Sequence, residues 1–390
     1  MDKKITALVA AVVAVVIIAA AAWALNPGGD DGKDEGSDTV VVTDMTGEEV
    51  EVTLPVERVA ITSSSLLDMF IIIAGEDWAD YVCMMPSDLQ TREPAKYDLL
   101  METYPQLADV PTSPDLYSSG SFPDETIAVT EPDLVLLEYP TMQWLQYDES
   151  NYPILTSMGV SVLQLDMYTD PFAEGAIDTN MNALGAALGQ QDRADEIIAF
   201  WYEQFDLVES ILDSVPESEK TLVAYTEIMG SGQISSSAYG TTGTMGFSEL
   251  TFVGVTNSSD QATETYSYER LLSIDPDYII IIAVSSYYQQ GDAGYAIGYG
   301  VTSTEAAQQV VEEYKSRPGW SNLTAVQNDN IILYYPELGF TPAAFEKVLY
   351  LAEFLYPEYC GDLDADAIMD EYFDRFLPFD VTGLWYYKAA

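Results

Sequence analysis

Hydrophobic and polar positions along this chain follow two rhythms, and their order predicts the architecture. Residues 40–54 (VVVTDMTGEEVEVTL) alternate apolar and polar positions about a central turn, as a hairpin with one buried face does. The later apolar runs do not alternate. Arg58 to Ile61, Tyr81 to Met84, Leu134 to Leu137, Val160 to Leu165, Thr221 to Tyr225, Tyr278 to Ile282 and Ile331 to Tyr334 are short and continuously apolar. Such runs suit strands covered by helices on both faces. Helical stretches separate them, which predicts an α/β architecture with mainly parallel sheets. Ser63-Ser64-Ser65 before LLDMFIIIAG reads as a helix N-cap signal.

Between the two groups of strands, Ile197, Trp201, Phe205, Val208 and Leu212 recur at helical spacing after a charged first turn, Asp192 to Glu196. A helix from Asp192 to Val215 spans about 36 Å, enough to run from one lobe to another. As the only connector it limits closure of the lobes to a small hinge motion.

A repeated segment supports two similar lobes. Glu125 to Leu137 reads ETIAVTEPDLVLL and Glu269 to Ile281 reads ERLLSIDPDYIII. In both, a glutamate opens an amphipathic helix of about two turns, an acid-Pro-Asp turn ends it, and a buried strand follows. Proline stops the helix and the following Asp favours a tight turn.

Composition narrows the function. The 390 residues carry 64 acidic and 14 basic side chains, a formal net charge of -50 that repels nucleic acid phosphates. The same acidity also suits solubility in a salty medium. The absence of histidine removes the usual general base, the imidazole metal ligand and the histidine-dependent nucleophile pairs. The chain therefore reads as a non-enzyme, without cofactor or resident metal. An enzyme using paired carboxylates, as in glycoside hydrolysis, is the weaker class, and no such pair stands out. Cys83 and Cys360 fit no metal-ligand spacing, and are two buried thiols or one disulfide.

Lys3 and Lys4 precede an uncharged run from Ile5 to Leu25, about 31 Å long as a helix and close to the hydrocarbon thickness of a bilayer. Basic residues before it and acidic ones after it place the bulk of the chain outside. Residues 1–25 read as an uncleaved anchor, with a cleaved signal segment ending near Ala22-Trp23-Ala24 as the alternative. Residues 26–39 (NPGGDDGKDEGSDT) read as a flexible acidic tether. The chain then divides into an N-terminal α/β lobe (40–172), a bridging helical segment (173–216) and a C-terminal α/β lobe (217–390).

In this order the sequence resembles the ABC-importer substrate-binding proteins that carry ferric siderophores, haem and cobalamin. The matching residues are Thr43-Asp44 with Gly47, Leu54-Pro55 with Arg58-Val59, and Glu125 with Pro132-Asp133-Leu134-Val135. They continue as Leu184-Gly185 with Leu188-Gly189, Glu269 with Pro276-Asp277, Trp320 to Val326 (WSNLTAV) and Ala352 to Glu358 (AEFLYPE). Each motif is weak alone, and their order over nearly the whole chain is specific. The resemblance implies two Rossmann-like lobes joined by a single long helix, with the ligand in the cleft between them. It implies a permease and its ATPase as partners; the chain itself reads as a monomer, held at the outer face of the membrane by its N-terminal segment or secreted if that segment is cleaved. It also implies that Glu125 and Glu269 dock onto the permease. The alternative is that each glutamate favours only its own helix N-terminus.

Ligands of open α/β sheets sit beyond the carboxyl ends of the strands. The loops there offer Ser64, Met85, Arg92, Tyr139, Trp144, Tyr168, Glu227, Tyr287, Tyr288 and Tyr335 as ligand-binding candidates. Aromatic loop tips supply apolar contact plus a hydroxyl, suited to a bulky chelate. Arg92 either pairs with an anionic chelate or forms a salt bridge to a nearby acid. Gly230 to Gly246 lacks the ending of a phosphate-cradling loop and reads as a cleft lid or an ordinary surface loop. Asp362, Asp364 and Asp366 resemble only the start of a calcium loop. Without imidazole, bare zinc or manganese is disfavoured, while ferric iron accepts oxygen donors. A ferric chelate is thus the expected ligand, with cobalamin and then haem as alternatives. A surface interaction protein on the same fold is the competing class.

Overall fold

The computed structural model describes residues 38–116, 120–220, 222–228, 235–236, 248–258, 264–265, 267–283 and 296–389. The anchor reading of residues 1–25 and nearly all of the tether lie outside them. Among the described residues no helix is long and apolar enough to cross a membrane.

Strands β1 (Thr39–Thr43) and β2 (Glu49–Thr53) form the expected antiparallel hairpin, which begins within the stretch read as tether. Its turn is held by Asp44, whose Oδ1 accepts the Thr46 N–H at 2.8 Å, with Gly47 at a left-handed φ of 81°. The other Asp44 oxygen accepts the Gln164 N–H at 3.2 Å and ties the hairpin to the sheet beside it.

That sheet contains β3 (Val59–Ile61), β4 (Val82–Met84), β5 (Leu134–Glu138) and β6 (Ser161–Leu165), all parallel, in the order β4-β3-β5-β6. β3, β4 and β5 are buried at every position, as their unbroken apolar runs require. The second sheet has seven strands. Its parallel centre is β7 (Leu222–Ile228), β9 (Val255–Asn257), β11 (Tyr278–Ile282) and β13 (Ile331–Tyr334). Antiparallel strands flank it: β8 (Ser235–Ser236) and β10 (Glu264–Thr265) on one side, β15 (Tyr386–Lys388) on the other. A small separate pair joins β12 (Gly298–Tyr299) to β14 (Gly383–Leu384). These antiparallel additions were not expected, because two- and three-residue strands carry no readable period.

The long helix runs from Gln191 to Ser214, one residue earlier at each end than the sequence predicts. Its buried face includes Ile197, Phe200, Trp201 and Val208. Phe200 packs against Phe345, Tyr372 and Phe376 from the C-terminal part of the chain. From the helix's first turn, Arg193 donates to the Ile72 carbonyl and, at 2.9 Å, to the Phe376 carbonyl. One guanidinium therefore joins backbone from both parts of the molecule.

The repeated segment is structurally equivalent in its two copies. Asp133 donates its N–H to the Arg58 carbonyl at 2.8 Å and accepts the Arg58 N–H on Oδ2 at 2.9 Å. Asp277 does the same to Val223, at 2.9 and 2.8 Å. The acid before each proline, Glu131 or Asp275, adopts a left-handed φ of 49° or 45°. Each aspartate thus fastens the entry of its own strand to the start of the neighbouring one. The preceding helices are shorter than or equal to expectation, Asp124–Ala128 and Tyr268–Ile274.

Cys83 and Cys360 are separate buried free thiols. Burial pushes Cys83 up, and it pushes Cys360 to about 11. Asp364 belongs to no calcium loop: it caps the helix Ala365–Phe376 by accepting the Ala367 N–H at 3.0 Å. Among the described residues no group of acidic, cysteine or histidine side chains is arranged to hold a metal ion.

Candidate functional site

The carboxyl ends of the first sheet open into a cavity of about 270 Å3, where parallel strands place their ligands. Thr62 and Ser63 follow β3, Ser87 and Asp88 follow β4, Glu138 ends β5, and Tyr168 follows β6. Arg92 and Thr141 extend the polar wall.

Glu138 is the centre of this wall. It is buried, with 7% of its surface exposed. Its Oε1 accepts the hydroxyls of Ser63 and Ser65, each at 2.9 Å, and its Oε2 accepts the Thr141 hydroxyl at 2.6 Å. Ser63 occupies the N-cap position of the helix Ser64–Ala74 but does not cap it. The capping acceptor comes from elsewhere in the sequence. Asp88 takes the Ser64 N–H at 3.0 Å and the Ser64 hydroxyl at 2.9 Å. Burial pushes the Asp88 carboxyl up, with Arg92 opposing.

Arg92 connects this wall to the C-terminal part of the chain. It donates to Glu337 Oε2 at 2.9 Å and lies 3.7 Å from Asp88. Tyr168 stacks on Phe340 with centroids 4.6 Å apart, and the Arg92 guanidinium sits 5.1 Å from the Phe340 ring. The turn Glu337–Phe340 thus packs against two cavity-lining residues of the first sheet. Burial alone would lower the Arg92 guanidinium, but Glu337 and Asp88 hold it above its ordinary value. Burial pushes Glu337 up to about 7, against the pull of Arg92.

A second ionic layer lies deeper. Lys96 contacts Asp68 at 2.5 Å and Glu93 at 3.4 Å, and the Tyr335 hydroxyl donates to Glu93 at 3.1 Å. Two carboxylates share one ammonium here. Burial, together with the neighbouring Glu93, pushes Asp68 up to about 6. Burial would lower Lys96, but Asp68 and Glu93 hold it charged.

The candidates divide accordingly. Arg92 and Tyr168 line the cavity, and Trp144, 57% exposed, meets the Tyr168 ring edge-on at 5.8 Å. Ser64 is committed to Asp88. Tyr139 starts the helix Tyr139–Leu145 beside Glu138 and accepts a hydrogen bond from Gln143. Three further candidates are engaged in packing or pairing. Met85 packs in the hydrophobic core, Tyr335 is 3% exposed and anchored on Glu93, and Glu227 is 0% exposed and paired with Arg317 at 2.8 Å. Tyr287 and Tyr288 lie outside the described residues, as does nearly all of Gly230 to Gly246. Glu125 and Glu269 are both exposed in the first turns of their helices. Both sit where the helix dipole favours an acid, while the cap hydrogen bond of the second helix comes from Ser267, which accepts the Arg270 N–H.

Sequence reasoning missed Glu138, Asp88 and Glu337. Glu138 had one available signal: a charged residue directly ending an otherwise apolar buried strand.

Two α/β sheets linked by one long helix, with a polar cavity at the carboxyl ends of the first, are an architecture suited to solute binding. Residues 60–338 match the family described as periplasmic binding protein. The chain belongs to that family, whose members are solute-binding components of ABC transporters and not enzymes. It is accordingly an extracytoplasmic partner of a permease and its ATPase. No curated protein matches it in sequence. Among solved structures it is similar to the TroA-like periplasmic binding protein FepB of Veillonella parvula, with TM-score 0.78, 23% identity, 90% of this chain and 100% of that one covered. It is also similar to the molybdate-binding MolA of Haemophilus influenzae (TM-score 0.62, 15% identity, 88% and 100% covered). A third is CeuE of Helicobacter pylori (TM-score 0.57, 16% identity, 88% and 97% covered). These likenesses show the fold.

Proposed function

We propose that the chain captures a ferric chelate of the siderophore type between two lobes and delivers it to the permease. The observation that carries this reading is the position of Arg92 and Tyr168. Both line the cavity of the first sheet; Arg92 is held by Glu337 and Tyr168 is stacked on Phe340, both from the second part of the chain. A ligand there contacts side chains of the first half that are themselves braced by the second, so its binding is coupled to the packing between the halves. Oxygen donors and aromatic rings suit a chelate, and the lack of histidine disfavours a bare transition ion. CeuE, one of the similar structures, is a complex with nickel and histidine, so a metal complex is a ligand type seen on this fold. Glu125 and Glu269, at equivalent places before the two Pro-Asp turns, serve as the docking pair for basic pockets on the permease.

Thermal melting of the purified chain with ferric hydroxamate and catecholate complexes, haem and corrinoids tests the ligand. A rise in Tm of several degrees with a ferric complex supports the reading. A rise with haem or a corrinoid alone overturns it. Replacing both Glu125 and Glu269 by Ala is expected to abolish uptake while leaving equilibrium binding unchanged.

A further inference from the structure

The charge of the ligand follows from where this chain places its few cations. Of 14 basic residues, Lys3, Lys4 and Lys33 precede the folded region, and the later stretches outside the described residues contain no Lys or Arg. Every basic residue able to meet a ligand is therefore accounted for. Beside the cavity and the turn Glu337–Phe340 stand Arg92, Lys96 and Lys347. Arg92 is held by Glu337 and Asp88, and Lys96 by Asp68 and Glu93. Lys347 lies 3.5 Å from Glu249 and so close beneath Gly339 that a Cβ there would meet its Nζ at 2.4 Å. Each cation is matched by at least one carboxylate.

The cavity itself is lined by the carboxylates of Asp88, Asp115 and Glu138 against the single guanidinium of Arg92. Glu138 is bonded by three hydroxyls, which orient its charge without cancelling it. Arg92 donates to Glu337 at 2.9 Å and lies 3.7 Å from Asp88, so acidic side chains on two sides already offset its charge.

We infer that the ligand brings positive charge to this cavity, and that Glu138 is the residue that selects it. This rests on the ferric-chelate reading and narrows it. Three hydroxamates cancel the charge of ferric iron, and a pendant ammonium makes the complex cationic. Three catecholates leave the complex strongly anionic. The cargo class is thus a cationic ferric hydroxamate.

The test compares three probes on the full chain: a ferric linear trihydroxamate with a free ammonium, its N-acetylated form, and a ferric tris-catecholate. The ammonium form is expected to bind about tenfold tighter than the acetylated one, and the catecholate at least about a hundredfold weaker. The association rate of the ammonium form should fall as salt rises. In Glu138→Gln the preference for ammonium over acetyl should shrink below about threefold. The probe series on the unmodified chain stands alone if that variant does not fold. Equal or tighter binding of the catecholate overturns the charge inference and leaves the ferric-chelate reading intact. Equal affinity of ammonium and acetyl forms overturns the role of Glu138. Binding of none of the three overturns both readings.

Discussion

Two glutamates near the ends of parallel strands have opposite fates in this molecule. Glu138 ends β5, borders a cavity, and is bonded only by neutral hydroxyls. Glu227 lies near the end of β7, is wholly enclosed, and is matched by Arg317 at 2.8 and 2.9 Å and by the Tyr225 hydroxyl at 2.9 Å. Arg317 is fixed in turn, with its guanidinium 3.7 Å from the Tyr314 ring and 4.9 Å from Trp320. Among the described residues, a small pocket beside the second sheet holds about 20 Å3, room for roughly one water molecule. Among the described residues, similar strand ends thus border a cavity in one half and form a closed ion pair in the other. The difference lies in whether a cation cancels the carboxylate.

The largest expected effect separates these roles. Arg317→Leu leaves Glu227 buried without its cation and should cost about 3–5 kcal/mol in urea unfolding. Glu138→Gln keeps hydrogen-bond partners and should cost about 1 kcal/mol or less. Similar losses from the two variants would remove the distinction.

Acid stability sharpens the contrast at the seam. The folded Glu337 holds its proton to about 7, above the ordinary 4.5. Between those values the folded state binds a proton that the unfolded chain has released. Stability should therefore fall as pH rises from about 4.5 to 7, by as much as about 3 kcal/mol from this residue. Asp68, at about 6 against an ordinary 3.8, acts in the same direction lower in the range. Glu337→Gln should flatten the upper part of the profile, measured as Tm against pH. A profile unchanged from the parent would contradict this placement of Glu337.

The smallest effect concerns what the two halves share. Asp133→Ala and Asp277→Ala each remove a carboxylate that accepts a strand-entry N–H, and each should cost about 1–2 kcal/mol. Losses differing by more than about 1 kcal/mol would mean that the two junctions are not equivalent in energy.

The parallel strands and the long helix were legible because continuous apolar runs and helical spacing reach the core directly. The repeated Glu-to-Pro-Asp segment was legible for a related reason: proline and aspartate act locally on the backbone. The site was less so. Its residues meet through sequence separations of 75 between Ser63 and Glu138 and 245 between Arg92 and Glu337, which no local pattern encodes. Glu227 was chosen and Glu138 missed because both are acids near strand ends, and only the fold shows where Arg317 falls. Tyrosine abundance likewise does not show direction: only the fold turns Tyr335 toward the ionic layer around Lys96.

Hydrogen–deuterium exchange of the chain, alone and saturated with a ferric trihydroxamate carrying a free ammonium, tests the placement of the ligand most directly. Slower exchange at residues 62–65, 87–92 and 138–141, with residues 223–227 unchanged, is the expected result. Protection around Glu227 with the Glu138 segment unaffected would contradict it.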